Sequence, residues 1–357
     1  MPTQPPKITI GIPVYNVEKY IDKSLRSVLD QNFSEPFEIL VIDDCGNDRS
    51  IGIVEDLIKG HPRGDVVHII HHEKNKGLGP SRNTAMENAS GQYIFFLDSD
   101  DWISNDCLSV LYKKAIETDA DAVVGSVERI EDGTLRQLEL NQYPDTVIHH
   151  EGAGVWMVNH KPDMHIEVWN KLFRTKFLRK NKIQFVHRIF EDYYFDFRFR
   201  ASAQTIALCP ERTLFYNIRQ NSILTTLKAT KGSDESVITF CEIIHYLQQM
   251  LAIEYSSITD IYDLYFQRVI WIFENFARYK YSEEQWDYIK NHIKGFCSVI
   301  PNISALHNAR NRFIYKRIVQ NENLDLFYKA NSLYFKLEKW KHRFNLFKRI
   351  KNRMLKK

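Results

Sequence analysis

Ile8 to Val14 is an apolar run that carries Gly11 and Pro13, and Val17 to Asn32 then places Tyr20, Ile21, Leu25, Val28 and Leu29 at helical spacing. The same pair, strand then amphipathic helix, recurs three times. It is found at Phe37 to Ile42 with Ser50 to Lys59, at Val66 to Ile70 with Pro80 to Ala89, and at Tyr93 to Leu97 with Cys107 to Thr118. A further strand is expected over Ala122 to Val127. Nearly continuous apolar strands joined by helices predict a parallel sheet covered on both faces, with right-handed crossovers. This part of the chain therefore reads as a doubly wound α/β domain.

Polar residues stand just past the end of each strand: Tyr15 and Asn16, then Asp43 and Asp44, then Asn75, Lys76 and Gly77, then Asp98, Asp100 and Asp101. Parallel strands end at one edge of the sheet, and ligands of open α/β sheets bind there, so topology alone brings these motifs to one crevice. If the last of them continues extended, Asp98 and Asp100 point to the same side ~6–7 Å apart. Clustered carboxylates repel one another unless a cation joins them, and hard oxygen donors suit Mg2+ or Mn2+. A turn or a helix N-cap, with Ser104 or Asn105 capping the helix near Cys107, is the competing reading of the same acids. An EF-hand is excluded, since a loop numbered from Asp98 puts Ile103 where glycine is required and Ser109 where the bidentate Glu is required.

Neither a GxGxxG after the first strand nor a GxxxxGK[ST] anywhere is present, so a nucleotide would be held in another way. Gly77, Gly79 and Pro80, leading into a helix with Arg82, are able to offer backbone N–H groups and a cation to a diphosphate; a plain turn is the alternative.

Composition narrows the class. With 357 residues, 44% of them hydrophobic, the chain can bury a sizeable core. A net charge of +3 is too small for a nucleic-acid binder. Five dispersed cysteines without a CxxC pair argue against a disulfide framework or zinc site and fit a reducing cytosol. Met1 to Lys7 has no signal-peptide core, and no apolar run is long enough to span a bilayer.

Four segments taken together, Ile12-Pro13-Val14-Tyr15-Asn16, Val41-Ile42-Asp43-Asp44, Asn75-Lys76-Gly77-Leu78 with Ser81-Arg82-Asn83, and Phe96-Leu97-Asp98-Ser99-Asp100-Asp101, resemble glycosyltransferase family 2, the inverting GT-A enzymes. Val168 to Arg174 and Phe190-Glu191-Asp192 resemble that family's acceptor-side segments. The resemblance implies a GT-A fold, a doubly wound mixed sheet, over residues 1–225, with a nucleotide-binding half over 1–130 and an acceptor-side half over 131–225. It implies that Pro13 and Asp44 line the base pocket, Asp44 accepting from a uracil imide, with Tyr15, Lys76 and Arg82 on the nucleotide, Asp98 on the ribose and Asp100 on Mn2+ or Mg2+. Asp192 falls where the family's catalytic base stands, and helical spacing leaves it off the apolar face of Phe190, Tyr193, Tyr194, Phe197 and Ala201. Two departures bear on the shape of the pocket: Asp44-Cys45-Gly46-Asn47 where relatives commonly have Asp-Asp-Gly-Ser, and Gly79-Pro80 where small residues are usual.

The function so implied is transfer of a sugar, with inversion, from a UDP-sugar to a saccharide or lipid-linked acceptor in bacterial surface-polysaccharide synthesis. Glu191 is the rival base. His149, His150, His165 and His187 are candidate metal ligands or proton carriers set against ordinary hydrogen-bonded histidines, and Lys171 and Arg174 are candidate phosphate contacts set against solvated helix charges. A helical region is expected over residues 226–335. The stretch Lys336 to Lys357, with ten Lys or Arg against Glu338, reads as a basic amphipathic helix suited to an anionic membrane surface, set against a solvated helix packed on the domain or a partner chain; the expected location is cytoplasmic, and on the first reading peripheral on the inner face of the cell membrane. Two other functions stay open. A non-catalytic nucleotide-sugar-binding subunit would keep the fold without activity. A sugar-1-phosphate nucleotidyltransferase would show a GxGTR-type loop, which Ile12 to Asn16 does not.

Overall fold

The structure is a computed structural model that describes residues 4–131, 136–160, 162–187, 191–219, 234–253, 261–276, 282–307 and 311–316. The tail read over Lys336 to Lys357 lies outside the described residues. The chain divides into two compact units, Met1–Thr226 and Leu227–Lys357.

In the first unit the repeating pattern appears as β1 (Ile8–Val14), α1 (Ile21–Leu29), β2 (Phe37–Asp43), α2 (Ser50–Gly60), β3 (Val67–His71), α3 (Leu78–Asn88), β4 (Tyr93–Phe96), the short β5 (Trp102–Ile103) and α4 (Cys107–Thr118). It continues with β6 (Ala122–Glu131), β7 (Arg136–Asn141), β8 (Thr146–His149), α5 (Ala153–His160), β9 (Lys171–Arg174), α6 (Thr175–Lys180), α7 (Glu191–Ser202) and β10 (Thr205–Ile218). The strands form one sheet in the order β3-β2-β1-β4-β9-β6-β10-β5, with β7 added beside β6 and β8 beside β10.

Strands β3, β2, β1 and β4 run parallel, in the register that alternating burial demands. Ile8, Ile10, Ile12 and Val14 share one face with Ile39, Val41, Tyr93 and Phe95, and α1, α2 and α4 cover it. Leu40, Ile42, Ile94 and Phe96 face the other way, under α3, α5, α6 and α7. Each apolar strand is thus sandwiched between helical layers.

The parallel run read from the strand–helix pattern ends at β4, and beyond it the sheet is mixed, as the resemblance implies. Strand β9 lies between β4 and β6 and is antiparallel to both. Only four residues long, Lys171–Arg174 comes from the acceptor-side half and carries no crossover helix of its own, so nothing in its local pattern announces a central position. It also makes Lys171 and Arg174 strand residues rather than helix charges.

Among its described residues the second unit contains three longer helices, α8 (Asp234–Ile253), α9 (Ile261–Phe276) and α10 (Glu283–Ser298). Ser282 accepts from the Gln285 N–H and the Gln285 side chain accepts from the Ser282 N–H, closing the capping box expected there. Among the described residues no helix is long and apolar enough to cross a membrane.

Candidate active site

All the parallel strands end at one edge, and the loops beyond them interlock. Asn47 N–H donates to Asn16 Oδ1 at 2.9 Å, joining the β1 and β2 loops. Cys45 holds a left-handed backbone, φ +58°, and its thiol donates to the His72 carbonyl at 2.8 Å, joining the β2 and β3 loops. Pro13 is buried in β1 opposite Ile42, whereas Tyr15, 49% exposed, stands at the rim.

Asp44 is buried and already engaged. One oxygen accepts from the Lys76 N–H at 2.8 Å and lies 2.7 Å from His72 Nδ1; the other accepts from the Gly77 N–H at 2.8 Å. Those contacts take three of the roughly four acceptor positions of a carboxylate, leaving about one for a base. They also use the Gly77 N–H, one of the loop groups that the sequence offered to a diphosphate. Lys76 itself is exposed.

Gly77, at φ +89°, turns the chain into α3, and Pro80 sits in the first helical turn, where a missing N–H costs nothing. A Cβ on Gly79 would lie 2.4 Å from the Val186 carbonyl oxygen. Gly79→Ala is therefore expected to push α3 from the 185–186 segment and cost about 1–3 kcal/mol, read as a lower melting temperature.

Asp98 to Asp101 do not continue extended. Asp101 N–H donates to the Asp98 carbonyl at 3.0 Å, so the stretch is a turn, and the same-side reading of Asp98 and Asp100 is corrected. Each aspartate has its own partner. Asp98 accepts from Arg82 Nη2 at 2.7 Å, and Asp100 accepts from Arg219 Nε at 2.5 Å. Asp101 accepts from the Asn217 N–H at 2.8 Å, while its other oxygen is buried and has no partner among the described residues.

Arg82 is the centre of this constellation. It is 1% exposed, and its Nη1 donates to Glu191 and to Asp192, both at 2.7 Å. Its guanidinium is thus spent on three carboxylates rather than turned to open solvent, unlike the phosphate-facing cation read from the sequence. Glu191 and Asp192 open α7 and reach it from the opposite side of the crevice.

Helix α7 differs from the one-faced helix expected. Phe195 and Phe199 join the core beneath the sheet, and Tyr193, Tyr194, Phe197 and Ala201 are buried as well. Asp196 and Arg200 are also enclosed, paired at 2.6 Å, with Arg200 reaching Asp163 at 2.6 Å. A helix covered on most sides has no clear apolar stripe to read.

Electrostatics follow from enclosing five carboxyls with two guanidiniums. Burial pushes the Asp192 carboxyl well above the usual carboxylate range; Arg82 opposes the shift, and Glu191 and Asp98 add to it. Burial and then the neighbouring aspartates likewise raise Asp100 and Asp101. Arg82 stays charged because the carboxylates of Asp192, Asp98 and Glu191 outweigh its own burial.

Among the described residues no three His, Cys, Asp or Glu side chains are grouped to ligate a metal together. The donor chemistry nevertheless fits Mg2+ or Mn2+: such ions take hard oxygens from one or two carboxylates and complete their shell with substrate phosphates. Asp100, beside an Asp101 oxygen that has no partner among the described residues, supplies donors of that kind.

The remaining candidates are scattered. His165 is enclosed between Tyr143 and Trp169, with Nδ1 2.8 Å from the Tyr143 hydroxyl and Nε2 3.0 Å from the Trp169 carbonyl. Burial, then Lys171, holds it well below the usual imidazole range. His149 meets the Thr205 hydroxyl across the β8–β10 pair, and His150 meets the carbonyl of the adjacent Glu151. His187 is exposed, close to Gly77. Lys171 is buried, donates to the His165 and Glu167 carbonyls, and is lowered to about 8, chiefly by burial. Arg174 lies opposite Tyr93, at the far end of the sheet, and so does not meet a diphosphate in this crevice.

The family model for glycosyl transferase family 2 matches residues 9–190, half of the chain. The chain belongs to glycosyltransferase family 2. This family member is 30% identical over 225 residues to EpsH of Bacillus subtilis, covering 61% of this chain and 63% of that one. It is also 30% identical over 218 residues to the poly(ribitol-phosphate) beta-glucosyltransferase of Bacillus spizizenii, covering 60% of this chain and 33% of that one. It thus spans less than two thirds of the length of these relatives. Among solved structures, Staphylococcus aureus TarS 1–349 in complex with UDP-GlcNAc aligns with a TM-score of 0.69 and 20% identity, over 92% of each chain. That likeness establishes the shared GT-A fold.

Arg219 is a site residue that the sequence reading missed. Its signal was positional: β10 runs parallel to β6, so Arg219, following Ile218, emerges at the same edge as the aspartates.

Proposed function

We propose that this family 2 chain moves a sugar, with inversion, from a UDP-sugar to a hydroxyl of a surface-polysaccharide or lipid-linked acceptor, with a divalent ion at the donor diphosphate. The observation that carries this reading is Arg82, whose one guanidinium ties Asp192 and Glu191 to Asp98 and so fixes an acceptor-side carboxylate against the donor-side acid. In a single displacement, the acceptor oxygen bonds to the anomeric carbon as the bond to the diphosphate breaks. Asp192 takes the hydroxyl proton, and the leaving electron pair goes to the diphosphate. Glu191 is the deeper of the pair, which suits it to hold Arg82 rather than meet an acceptor.

Mn2+ or Mg2+, when bound, neutralises charge on the leaving diphosphate; Asp100 is the residue that would hold it, with Asp98 on the ribose. Arg219 adds a second cation at Asp100. UDP is favoured because the fold neighbour TarS is described with UDP-GlcNAc, and an anionic acceptor because relatives are named for poly(ribitol-phosphate).

Calorimetric titration of UDP with and without Mn2+ tests the assignment. UDP is expected to bind in a metal-dependent manner, and Asp100→Asn to raise its Kd by about tenfold or more, the equivalent of ~1.4 kcal/mol. Metal-independent binding equal in both proteins would remove Asp100 from the site, and absence of nucleotide binding would end the transferase reading.

A further inference from the structure

The pole of the sheet opposite the aspartates carries a second concave surface. Gly91 and Gln92 lead into β4, and Arg174 closes the antiparallel β9 beside them. With Lys176, Arg179 and Lys180 of α6 they line a cavity of 580 Å³. Gln92 is six residues before Asp98, so the cavity lies ~20 Å from the donor crevice.

Four of those lining residues are cations, and three keep their charge uncompensated. Arg174 alone has a carboxylate, Asp119 at 2.5 Å. Arg179 donates to the Met86 and Ala89 carbonyls at 2.9 and 2.6 Å, contacts at the C-terminal end of α3 that fix the guanidinium without neutralising it. Lys176 and Lys180 are exposed, and among the described residues neither pairs with an acid. The segment from Arg174 to Lys182 holds five Lys or Arg and no Asp or Glu. Like charges gathered around a hollow repel one another unless an anion enters it.

The cavity also has the size of a small-ligand pocket, which typically runs to about 300–1,000 Å³. Among the described residues none of the exposed large apolar side chains borders it, so it lacks the wedge that inserts into a bilayer. We infer that this cavity is a second anion site, which takes phosphate groups of a soluble polyanionic chain. Anion binding here is independent of which sugar is transferred. On the function proposed above, it would hold a phosphate-bearing acceptor between transfers and raise its local concentration at the crevice.

The test is calorimetry of the full chain with sodium tripolyphosphate in EDTA, where the acidic donor crevice repels an anion. The comparison is Lys176→Ala with Lys180→Ala, two exposed side chains that no strand or helix contact requires. Saturable, salt-sensitive binding is expected, weakened about tenfold in the double variant. The basic tail is common to both proteins, so the difference isolates the cavity. No saturable binding, or equal binding by both proteins, overturns the inference. Binding to phosphatidylglycerol vesicles that depends on Lys176 and Lys180 while tripolyphosphate fails overturns it in favour of a membrane contact. UDP titration of the same proteins with Mn2+ keeps the two readings apart: loss of UDP binding in the parent sinks the transferase reading and leaves this one standing.

Discussion

Asp192→Asn is expected to lower kcat by about 10³-fold, within the usual reach of a positioned general base, while the Kd for UDP stays within about twofold. The amide keeps the shape of the side chain and its contact with Arg82 Nη1, but it cannot accept the acceptor's proton. Glu191→Gln, which touches the same nitrogen from a more enclosed position, is expected to lose only about tenfold. A larger loss at Glu191 than at Asp192 would reverse the assignment. The pH profile supplies a second reading. The reactive form is the carboxylate, and burial holds its pKa well above the usual range, so transfer should rise with pH through that raised value rather than being complete near pH 4. The acid limb should vanish in whatever residual activity Asp192→Asn retains.

Arg82→Met is expected to cost about 3–5 kcal/mol, because it leaves three carboxylates around a buried site without their shared cation. For a unit of this size that is a fall in melting temperature of about 10 °C. The sign of its pH dependence follows from linkage. Glu191 and Asp192 are both raised by burial, and losing Arg82 raises them further. A carboxyl with a raised folded-state pKa favours the folded state fully below its unfolded pKa and loses that contribution as pH rises through the folded value. The deficit of Arg82→Met should therefore be largest at neutral pH and shrink on acidification towards the ordinary carboxylate range. If Arg82 positions the base, the acid limb of residual transfer also moves to higher pH, an effect that simple loosening of the fold would not produce. Arg82→Lys keeps the charge but not the fork, and should fall between the two. An unchanged pH limb in both variants would reduce Arg82 to a structural ion pair.

Some features of the site were open to inspection along the chain and others were not. The convergence of Tyr15, Asp44, Lys76 and Asp98 on one edge was legible, because strand and helix alternate and crossovers in such sheets share one hand. The acids at Asp98 to Asp101 carried a turn reading and an extended reading on the same residues, and only the hydrogen bond from Asp101 back to Asp98 separates them. Arg82 was visible as a cation near a phosphate-type loop, but its partners Glu191 and Asp192 lie more than one hundred positions away. Arg219 was invisible as a site residue until β10 was known to run parallel to β6.

The division has one physical cause. Side-chain periodicity records which side of an element is buried, and strand order with fixed handedness extends that record to a shared edge, so the sequence by itself determined the layered α/β domain, the crevice and most of its lining. Pairings between distant charges depend on how whole elements pack, and local spacing holds no trace of them. Only the tertiary structure decided that β9 enters antiparallel between β4 and β6, that α7 is enclosed on most sides, and that Arg82 belongs to the carboxylates of both halves.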